Sequence, residues 1–281
     1  MSGASVAVVV VSWNSRDDLV ACLGSLAAVR PPLEIVVVDN ASADGSADAA
    51  RATAPQATIM DAGENLGFAR ASNRGWRASR APYVLFLNPD AAVASGAVEA
   101  LVAVLEARPD VGVVGPVTAN TDGSLQVSFG PDLTPLGEWR QRRLVRGVRA
   151  RDPRVLAWLE EATAREIEPA WVSGSCLLTR RSLLEGMGGF DEAFFLYEED
   201  VDLCLRARQK GFRVVVTPTA RVTHRLGRSM ERAGTRARLE YDRSHLHYYE
   251  KHNGALLTGL LRVQLALRGA WRRLRGGAPG R

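Results

Sequence analysis

Cysteine is scarce in this sequence of 281 residues, which contains only Cys22, Cys176 and Cys204. The three are far apart, odd in number and without the short spacing of a metal-binding motif. Their positions argue against a disulfide framework and against a cysteine-based metal site. We predict that all three are buried, small apolar side chains in a protein of a reducing compartment.

Long apolar runs are also missing. No stretch of about 18 uncharged apolar residues occurs, which argues against a membrane-spanning helix. The N-terminal apolar run, residues 4–11, is too short for a secretory signal, and the polar segment 12–14 interrupts it. These absences predict a cytoplasmic protein.

The sequence lacks the glycine-rich cradles that bind dinucleotides or triphosphates. Neither G-x-G-x-x-G after the first strand nor G-x-x-x-x-G-K-[ST] is present, which argues against both classes. The composition is that of an ordinary globular protein, with 46% hydrophobic and 24% charged residues. The net charge of +5 is concentrated in segments 140–154 and 262–281. This pattern indicates two basic surfaces rather than a general nucleic-acid binder.

What the first half of the sequence does contain is a regular alternation of β-branched runs and helix-like segments. The runs 6–11 and 33–38 are typical of strands that are covered on both faces. Segment 16–28 has apolar residues at helical spacing, and the alternation continues to residue 114. This rhythm predicts an α/β fold, a mostly parallel twisted sheet flanked by helices, with a C-terminal helical extension.

The pattern changes twice further along the chain. We expect a catalytic domain over residues 1–230, within which 131–169 is an insertion or mobile segment with one helix-like piece at 154–165. Residues 231–281 form a basic, amphipathic helical extension. An interfacial helix on an anionic membrane and a helix that packs on the core both fit this tail.

Four polar or glycine-bearing turns follow the predicted strands or open the predicted helices. They are residues 12–15, 39–45, 65–67 and 88–90. Ligands of such sheets bind beyond the carboxyl ends of the strands. The sequence therefore predicts a ligand site where these four turns meet.

Two of these turns suit a nucleotide, although each also fits a plain structural turn. In VVVDNASADGS, Asp39 can accept hydrogen bonds from a nucleobase or ribose, and Asp44 can cap the next helix. In GENLGFARASNRG, Asn65 can cap the helix, and Arg70 and Asn73 lie one turn apart. Arg70 is a candidate phosphate ligand.

Metal-binding chemistry is suggested by LFLNPDAAV and by the strand RVTH. Asn88 and Asp90 lie two residues apart at the end of an apolar strand, and Asp90 can hold a divalent cation beside a diphosphate. Asp90 can equally be a helix cap. His224 ends its strand at a basic, glycine-containing loop, and together with Asp90 it would suit Mn²⁺ or Mg²⁺.

Carboxylates are crowded in FFLYEEDVDLCLRA, residues 194–207. Acidic residues suit the first turn of a helix, but their crowding behind an aromatic run also raises the proton affinity of a catalytic base. Asp202, one turn before Arg206, is expected to form a surface ion pair. The histidines at 245, 247 and 252 are a possible metal cluster, for which we favour packing in a helix.

Together, these segments resemble the family 2 glycosyltransferases, in particular their bacterial rhamnosyltransferase-like branch. The resemblance covers about residues 6–229 and is carried by VVVVSWN, VVVDNASADGS, ENLGFARASNRG, YVLFLNPDA, WVSGSCLLTRR, GGFDEAFFLYEEDVDLCLRARQKGFRV and VTHRLGRS. It implies a nucleotide-diphospho-sugar transferase fold, inversion at the anomeric carbon and a divalent cation. Asn88 stands where the family's metal motif usually begins with an acidic residue.

The resemblance also implies roles for single residues. Asp200 is the expected general base, with Glu199 as its companion, and Asp39 reads the nucleobase. The expected metal ligands are Asp90 and His224. The remaining donor-binding candidates are Ser12, Asn14, Asn40, Ser42, Asn65, Arg70, Asn73, Asn88 and Arg228. The acceptor-binding candidates are Trp171, Gly174, Ser175, Tyr197 and Glu198.

The predicted function is inverting transfer of a sugar, L-rhamnose from dTDP-rhamnose, to a glycan or polyprenyl-linked acceptor in cell-envelope polysaccharide synthesis. The predicted location is the inner face of the plasma membrane, with the basic tail as a peripheral contact. Two alternatives stay open. One is a metal-dependent nucleotide-sugar hydrolase or phosphoesterase, and the other is a non-catalytic module that binds nucleotide sugars.

Overall fold

A computed structural model describes residues 5–30, 32–225 and 228–276, with the side chains of all of these except 228–236 and 271–276. The strands are β1 Val6–Ser12, β2 Leu33–Asp39, β3 Thr58–Asp61, β4 Tyr83–Leu87, β5 Ala91–Val93, β6 Val111–Ala119, β7 Phe129–Gly130, β8 Trp171–Val172, β9 Cys176–Arg180 and β10 Arg213–His224. The helices are α1 Arg16–Leu26, α2 Ser46–Thr53, α3 Gly67–Ala78, α4 Ala97–Ala107, α5 Pro135–Arg149, α6 Pro153–Thr163, α7 Arg181–Met187, α8 Glu199–Gln209, α9 Arg228–His252 and α10 Gly254–Gly276.

Eight of the strands form one sheet in the order β3-β2-β1-β4-β9-β6-β10-β5. β1, β2, β3 and β4 are parallel, as are β6 and β10, whereas β9 runs antiparallel between β4 and β6. The predicted α/β fold with a mostly parallel sheet is confirmed. The register places Ser12 opposite Asp39, so the first two ligand turns leave the sheet side by side.

The apolar strand runs are buried on both faces because helices cover both sides of the sheet. Leu19 of α1 and Leu101 of α4 lie in the core on one face. Trp76 of α3, Leu203 of α8 and Tyr248 of α9 lie in the core on the other face. The three cysteines are buried and free, as the sequence predicts.

Segment 131–169 contains two helices where the sequence predicts one. α5 begins with proline after Thr134, whose side chain accepts a hydrogen bond from the backbone N–H of Gly137. α6 begins with proline after Asp152, which caps it in the same manner. Proline at the first helical position after a capping residue is a strong helix start. The basic composition of α5 concealed this signal.

The end of the chain also differs in detail from the prediction. The predicted strand RVTH is the end of a longer strand, β10, which has a register shift against β6 between Thr217 and Arg221. α9 begins at Arg228, before the predicted domain boundary at residue 230. α9 and α10 contribute Tyr249 and Leu261 to the same core as the sheet.

Candidate active site

The first two ligand turns are joined by hydrogen bonds between their polar side chains and backbones. Asn14 has a left-handed backbone with φ of 49°. Its N–H donates to Ser42 Oγ at 3.0 Å, and its Oδ1 accepts from Ala43 N at 2.8 Å. Ser12 Oγ lies 2.8 Å from Ser15 Oγ. These contacts fix the two turns as one edge at the ends of β1 and β2.

Asp39 keeps one carboxylate oxygen without a partner at this edge. Its Oδ2 accepts from Ser42 N at 3.1 Å, whereas Oδ1 is buried and no residue in the described part of the chain donates to it. Buried acceptors are nearly always satisfied in folded proteins. An N–H group of a bound base is a suitable donor for this oxygen.

Asn40 and Asn65 hold the start of α3. Asn40 donates to the carbonyl of Gly67 at 3.1 Å and accepts from Leu66 N at 3.3 Å. Asn65 Oδ1 accepts from Gly67 N at 3.0 Å. The structure thus gives both amides partners in the protein, and their predicted donor contacts stay predictions.

Gly67 lies where the start of α3 meets residues 194–207, the acidic segment. Its φ is 77°, and a Cβ there would lie 2.2 Å from the carbonyl oxygen of Phe195. The neighbouring Phe68 N–H donates to the same carbonyl at 2.7 Å. Only glycine permits this approach. Residues that are far apart in sequence therefore meet at the start of α3.

The two remaining polar candidates of α3 differ in environment: Asn73 is buried and Arg70 is exposed. Asn73 is fully buried, donates to the carbonyl of Phe190 at 2.9 Å and to Glu192 Oε1 at 2.9 Å, and accepts from Trp76 Nε1. Its amide is thus occupied in the core rather than at the strand ends. Arg70 is exposed and lines a small hollow of about 280 Å³, where its guanidinium contacts only the Glu192 carbonyl at 3.4 Å among the described residues.

Asp90 and His224 face each other in the arrangement that the metal prediction requires. His224 Nε2 lies 3.2 Å from Asp90 Oδ1, which is buried and has no partner with hydrogen-bond geometry among residues 5–30, 32–225 and 237–270. The other ring nitrogen, Nδ1, lies 3.2 Å from Gln126 Oε1. The Gln126 amide nitrogen donates to the His224 carbonyl at 2.5 Å and to Asn120 Oδ1 at 2.7 Å. These bonds assign Oε1 as the acceptor and Nδ1 as the donor.

This tautomer directs the lone pair of His224 Nε2 at a carboxylate oxygen. A nitrogen lone pair and a carboxylate oxygen at 3.2 Å repel each other unless a proton or a cation lies between them. Histidine usually binds a metal as a neutral imidazole whose other nitrogen donates a hydrogen bond. The donor set of one imidazole and one carboxylate therefore fits a divalent cation. The described residues contain no group of three or more candidate ligands, so a cation here would need further ligands from substrate or water. The Asn88 side chain, beside them, is half-buried.

One short turn connects the Asp90 loop with Asp200. Asn88 N–H donates to the carbonyl of Ser175 at 2.9 Å, and Gly174 N–H donates to Asp200 Oδ2 at 2.7 Å. A Cβ at Gly174 would touch both Asp200 and Phe68. The turn between β8 and β9 thus brings the predicted metal ligand and the predicted base to the same end of the sheet.

The acidic segment is strained and buried. Tyr197 and Glu198 both have left-handed backbones, with φ of 72° and 65°. Such residues cost about 1–3 kcal/mol each and cluster at functional sites. Glu198 and Glu199 are buried, and Glu199 Oε2 has no hydrogen-bond partner. α8 begins at Glu199, so the helix dipole offsets part of this accumulated charge.

Burial raises the pKa of both Glu199 and Asp200. Burial, together with the negative charge of Asp200, raises the pKa of Glu199 well above its usual range. Burial also raises the pKa of Asp200, against the opposing effect of hydrogen bonds from the N–H groups of Gly174 and Val201. A carboxyl group with raised proton affinity suits general-base work on an alcohol.

His245 of α9 lies between two carboxylates, Glu198 and Glu138. Its Nδ1 lies 2.7 Å from Glu198 Oε1, and its Nε2 lies 3.4 Å from Glu138 Oε1 of α5. Burial alone would lower the pKa of His245, but the two carboxylates outweigh it and raise the pKa to about 9. Tyr249 Oη donates to Glu138 as well. The acidic segment is therefore anchored to α5 and α9 at once.

The predicted packing of the three histidines is supported by their partners. His247 faces Asp191 at 3.3 Å, and His252 faces Asp202 at 2.8 Å, so each histidine contacts different carboxylates. Asp202 forms the expected ion pair with Arg206 at 2.7 Å. Its predicted surface position is wrong, because α9 covers the carboxylate and leaves it fully buried.

Among the acceptor-binding candidates, Gly174 contacts Asp200 directly. Ser175 is buried beside Gly174, and Trp171 is half-buried, with Nε1 donating to the carbonyl of Pro131 at 2.9 Å. The Tyr197 hydroxyl is buried without a partner. Burial and the charge of Glu199 raise the pKa of Tyr197. Arg228, the remaining donor candidate, has a side chain outside the described residues.

Sequence reasoning missed Gln126 and Glu138 and gave His245 only a packing role. Gln126 lies in a loop with no recognisable motif, and Glu138 has the position of an ordinary first-turn acid of α5. Only their tertiary contacts with His224 and His245 distinguish them. The one available signal was the three histidines of α9 in a sequence with four in all.

Comparison with known proteins identifies the family of this chain. The sequence matches the family described as Glycosyl transferase family 2 over residues 7–185, and Glycosyl transferase family group 2 over residues 159–239. It is 32% identical to an N-acetylglucosaminyl-diphospho-decaprenol L-rhamnosyltransferase of Mycobacterium tuberculosis, over 93% of this chain and 90% of that protein. A segment covering 19% of this chain and 20% of a rhamnosyltransferase of Escherichia coli K12 is 41% identical.

Solved structures share the fold at low sequence identity. A mannosyltransferase of Pyrobaculum calidifontis, in complex with GDP-Man and Mn²⁺, has a TM-score of 0.63 at 21% identity and covers 94% of this chain and 70% of its own. TarS residues 1–349 of S. aureus have a TM-score of 0.59 at 17% identity, over 92% of this chain and 68% of that one. The family matches, the extended rhamnosyltransferase similarity and the shared fold place this chain in glycosyl transferase family 2, in its rhamnosyltransferase-like branch.

Proposed function

We propose that this glycosyltransferase moves L-rhamnose from dTDP-rhamnose, with inversion, to a hydroxyl of an N-acetylglucosaminyl-diphospho-polyprenol in cell-envelope polysaccharide synthesis. The acceptor class is inferred from the name of the mycobacterial relative, which aligns over nearly the whole chain. The observation that carries the proposal is the Ser173–Ser175 turn. It binds the Asp200 carboxylate through Gly174 and the Asn88 loop through Ser175.

In the proposed reaction, the acceptor hydroxyl lies at Asp200 and the donor diphosphate lies at the Asn88 loop. The acceptor hydroxyl oxygen attacks the anomeric carbon of rhamnose from the face opposite the diphosphate, and a new C–O bond forms. The bond from that carbon to the diphosphate oxygen breaks, and its electron pair leaves with dTDP. The hydroxyl proton passes to the Asp200 carboxylate, whose burial favours the protonated form. Attack and departure on opposite faces invert the anomeric centre.

The leaving diphosphate requires neutralisation. Asp90 and His224 would hold a divalent cation there, and such a cation stabilises negative charge on a departing diphosphate. Gln126 Oε1 faces His224 Nδ1 and orients the ring so that Nε2 faces Asp90. The Asp39 oxygen without a partner would accept from the thymine N–H, which favours a base with that donor.

The first prediction concerns Asp200→Asn. The amide keeps the shape but not the proton affinity, so we expect transfer to fall by about 10²–10⁴-fold, while calorimetry shows dTDP binding unchanged. Glu185→Gln, which changes an exposed carboxyl of α7, is the matched control and should leave the rate unaltered. Near-normal transfer by the Asp200→Asn protein would contradict the assignment.

A donor-only assay separates transfer from the hydrolase alternative. We expect release of free rhamnose from dTDP-rhamnose to be far slower than transfer, because the attacking oxygen comes from the acceptor. Hydrolysis as fast in the absence of acceptor as transfer in its presence would favour the hydrolase. Binding of dTDP-rhamnose with neither reaction would favour the non-catalytic module.

We also propose that α10 binds the cytoplasmic surface of the membrane. One face of α10 packs on the core through Leu257, Leu261 and Leu265. The opposite face exposes a stripe of Leu256, Leu260, Val263 and Leu267, between 59% and 78% exposed. Residues 256–281 include six arginines and no acidic residue. An apolar stripe in a basic helix suits an anionic membrane surface. No helix among the described residues is long and apolar enough to cross a membrane.

The second prediction tests this surface. Leu256→Glu with Leu260→Glu should abolish co-sedimentation with vesicles that contain anionic lipid, because it places charges on the stripe. Gln264→Glu with Ala266→Glu adds the same charge to exposed positions beside the stripe and should weaken binding only modestly. Equal partitioning of the two double variants would contradict a role for the stripe.

A further inference from the structure

A large cavity lies beside the candidate active site, in a part of the chain that the proposed reaction does not use. Its volume is about 1060 Å³, and it is enclosed by α5, α6, the β7–β8 ribbon and the turn between α8 and β10. Cavities of this size bind organic ligands. Two of its walls belong to segment 131–169, which contains none of the motifs that carry the family resemblance.

The cavity walls are mainly apolar and aromatic. Leu144, Val155 and Phe212 line it, together with Trp139 and Trp158. The two tryptophans are 52% and 51% exposed, although both contribute to this wall. Exposed large apolar side chains grouped around a concavity mark a binding site. The lining suits a ligand with a hydrocarbon part.

The charges on the cavity walls are mostly cationic. Asp132 and Glu168, the carboxylates of the lining, are bound by Arg208 and Arg213 of the opposite wall. Arg140, Arg143 and Arg154 also line the cavity, and within the part of the chain that the structure describes none of them pairs with a carboxylate. Arg143 stacks over Trp139 at 5.7 Å. Three guanidinium groups without counter-charges complement an anion, and guanidinium is well matched to phosphate.

The cavity is close enough to Asp200 to hold the remainder of an acceptor. Arg208 on its wall follows Asp200 by eight residues in α8, which is about 12 Å along the helix. On the other side, Ala170 of the wall precedes the β8 strand that leads to the Gly174 turn. A sugar ring joined to two phosphate groups can cover this separation.

We propose that this cavity binds the isoprenoid diphosphate part of the acceptor. Arg140, Arg143 and Arg154 hold the diphosphate, and Trp139 and Trp158 enclose the first isoprene units. The inference rests on the proposed function for the identity of the acceptor. It gives segment 131–169 a specificity role, in which the enzyme distinguishes lipid-linked from free glycans.

The test uses geranylgeranyl diphosphate as a probe, below its micelle concentration and without donor or metal. Calorimetry should show saturable binding to the full chain. Geranylgeraniol, which lacks the diphosphate, and inorganic diphosphate, which lacks the hydrocarbon, should each bind at least tenfold more weakly. Equal binding of geranylgeraniol, or no saturable binding of the probe, would overturn the proposal.

Charge-matched variants locate the binding site. Arg143→Gln with Arg154→Gln should weaken probe binding by at least tenfold, because each removes a charged contact. Arg149→Gln with Arg165→Gln removes the same charge from exposed positions off the cavity wall and should bind the probe normally. Circular dichroism checks that all variants fold. Equal affinity of the two double variants would overturn the proposal.

Transfer assays separate this inference from the proposed function. With a polyprenyl-linked acceptor, the cavity variant should raise the acceptor KM at least tenfold and leave the KM for dTDP-rhamnose unchanged. Unchanged acceptor KM would overturn the cavity assignment without touching rhamnosyl transfer. If the probe binds as expected but no rhamnose is transferred, the cavity assignment stands and the proposed reaction fails.

Discussion

The two sides of the candidate active site are stabilised by different physics. On the donor side, the side chains of Asn14, Asp39 and Ser42 accept hydrogen bonds from backbone N–H groups of the two adjacent turns. On the acidic side, Glu198 and Glu199 are buried charges. Distant residues contact this side: Gly174 N–H donates to Asp200 from 26 positions away, and His245 contacts Glu198 from 47 positions away.

The difference lies in how each side satisfies its polar groups. Backbone hydrogen bonds satisfy most donor-side groups, and Asp39 Oδ1 and Asp90 Oδ1 are buried acceptors that no described residue satisfies. The acidic side instead accumulates unfavourable desolvation, which one buried histidine partly neutralises. Catalytic sites commonly have such a cost in stability. Charge changes should therefore alter stability on the acidic side and ligand affinity on the donor side.

The largest effect is expected for His245→Gln. Removal of one partner of a buried charged network costs about 3–5 kcal/mol of unfolding free energy. The folded pKa of His245, about 9, is above its ordinary value of 6.5. The stabilisation is therefore complete below pH 6.5 and is lost as pH rises through about 9. Urea denaturation at pH 6 and pH 9.5 should show a large difference from wild type at the lower pH and a small one at the higher.

His247→Gln is the control for this prediction. His247 lies on the same helix, but its side chain is 33% exposed and faces the partly exposed Asp191. We expect its loss to cost about 1 kcal/mol or less. Equal destabilisation by the two substitutions would remove the contrast between the buried network and an ordinary ion pair.

On the donor side, Gln126→Ala should alter metal affinity. Without the Oε1 acceptor, the tautomer and orientation of His224 are no longer fixed. Loss of such a partner typically lowers metal affinity by 10–100-fold. The Mg²⁺ or Mn²⁺ concentration that gives half-maximal transfer should rise accordingly, with little change in unfolding free energy. Gln126→Glu retains an acceptor for Nδ1 and should largely restore the affinity. An unchanged metal requirement in both variants would contradict the assigned tautomer.

The smallest effect, and one of opposite sign, is expected for Glu199→Gln. Burial and the charge of Asp200 raise the pKa of Glu199, so folding opposes an ionisation that the unfolded chain undergoes freely near neutral pH. The substitution should raise the unfolding free energy at pH 7.5 by about 0.5–2 kcal/mol. The gain should shrink as pH falls toward the ordinary pKa of 4.5, because Glu199 is then protonated in the unfolded chain as well. A variant that is less stable at pH 7.5 would mean that Glu199 has a compensating partner.

The sequence was sufficient for much of the fold because local signals agreed. Continuous β-branched runs such as Val6–Ser12 can only be buried strands of a covered sheet, and the turn after each strand had a recognisable composition. It failed for α5, whose many arginines masked its capped start at Thr134. It also failed for Asp202, since nothing local indicates that α9 covers this carboxylate.

The sequence by itself determined which residue types end each strand, and therefore that Asp39, Asp90 and His224 lie at one edge of a sheet. It also determined the crowding of carboxylates at residues 198–200. Only the tertiary structure decided what those groups face. Gln126 faces His224 Nδ1, and His245 connects Glu198 to Glu138. Strand periodicity is a property of neighbouring residues, whereas the protonation of a buried group depends on every charge that folding brings near it.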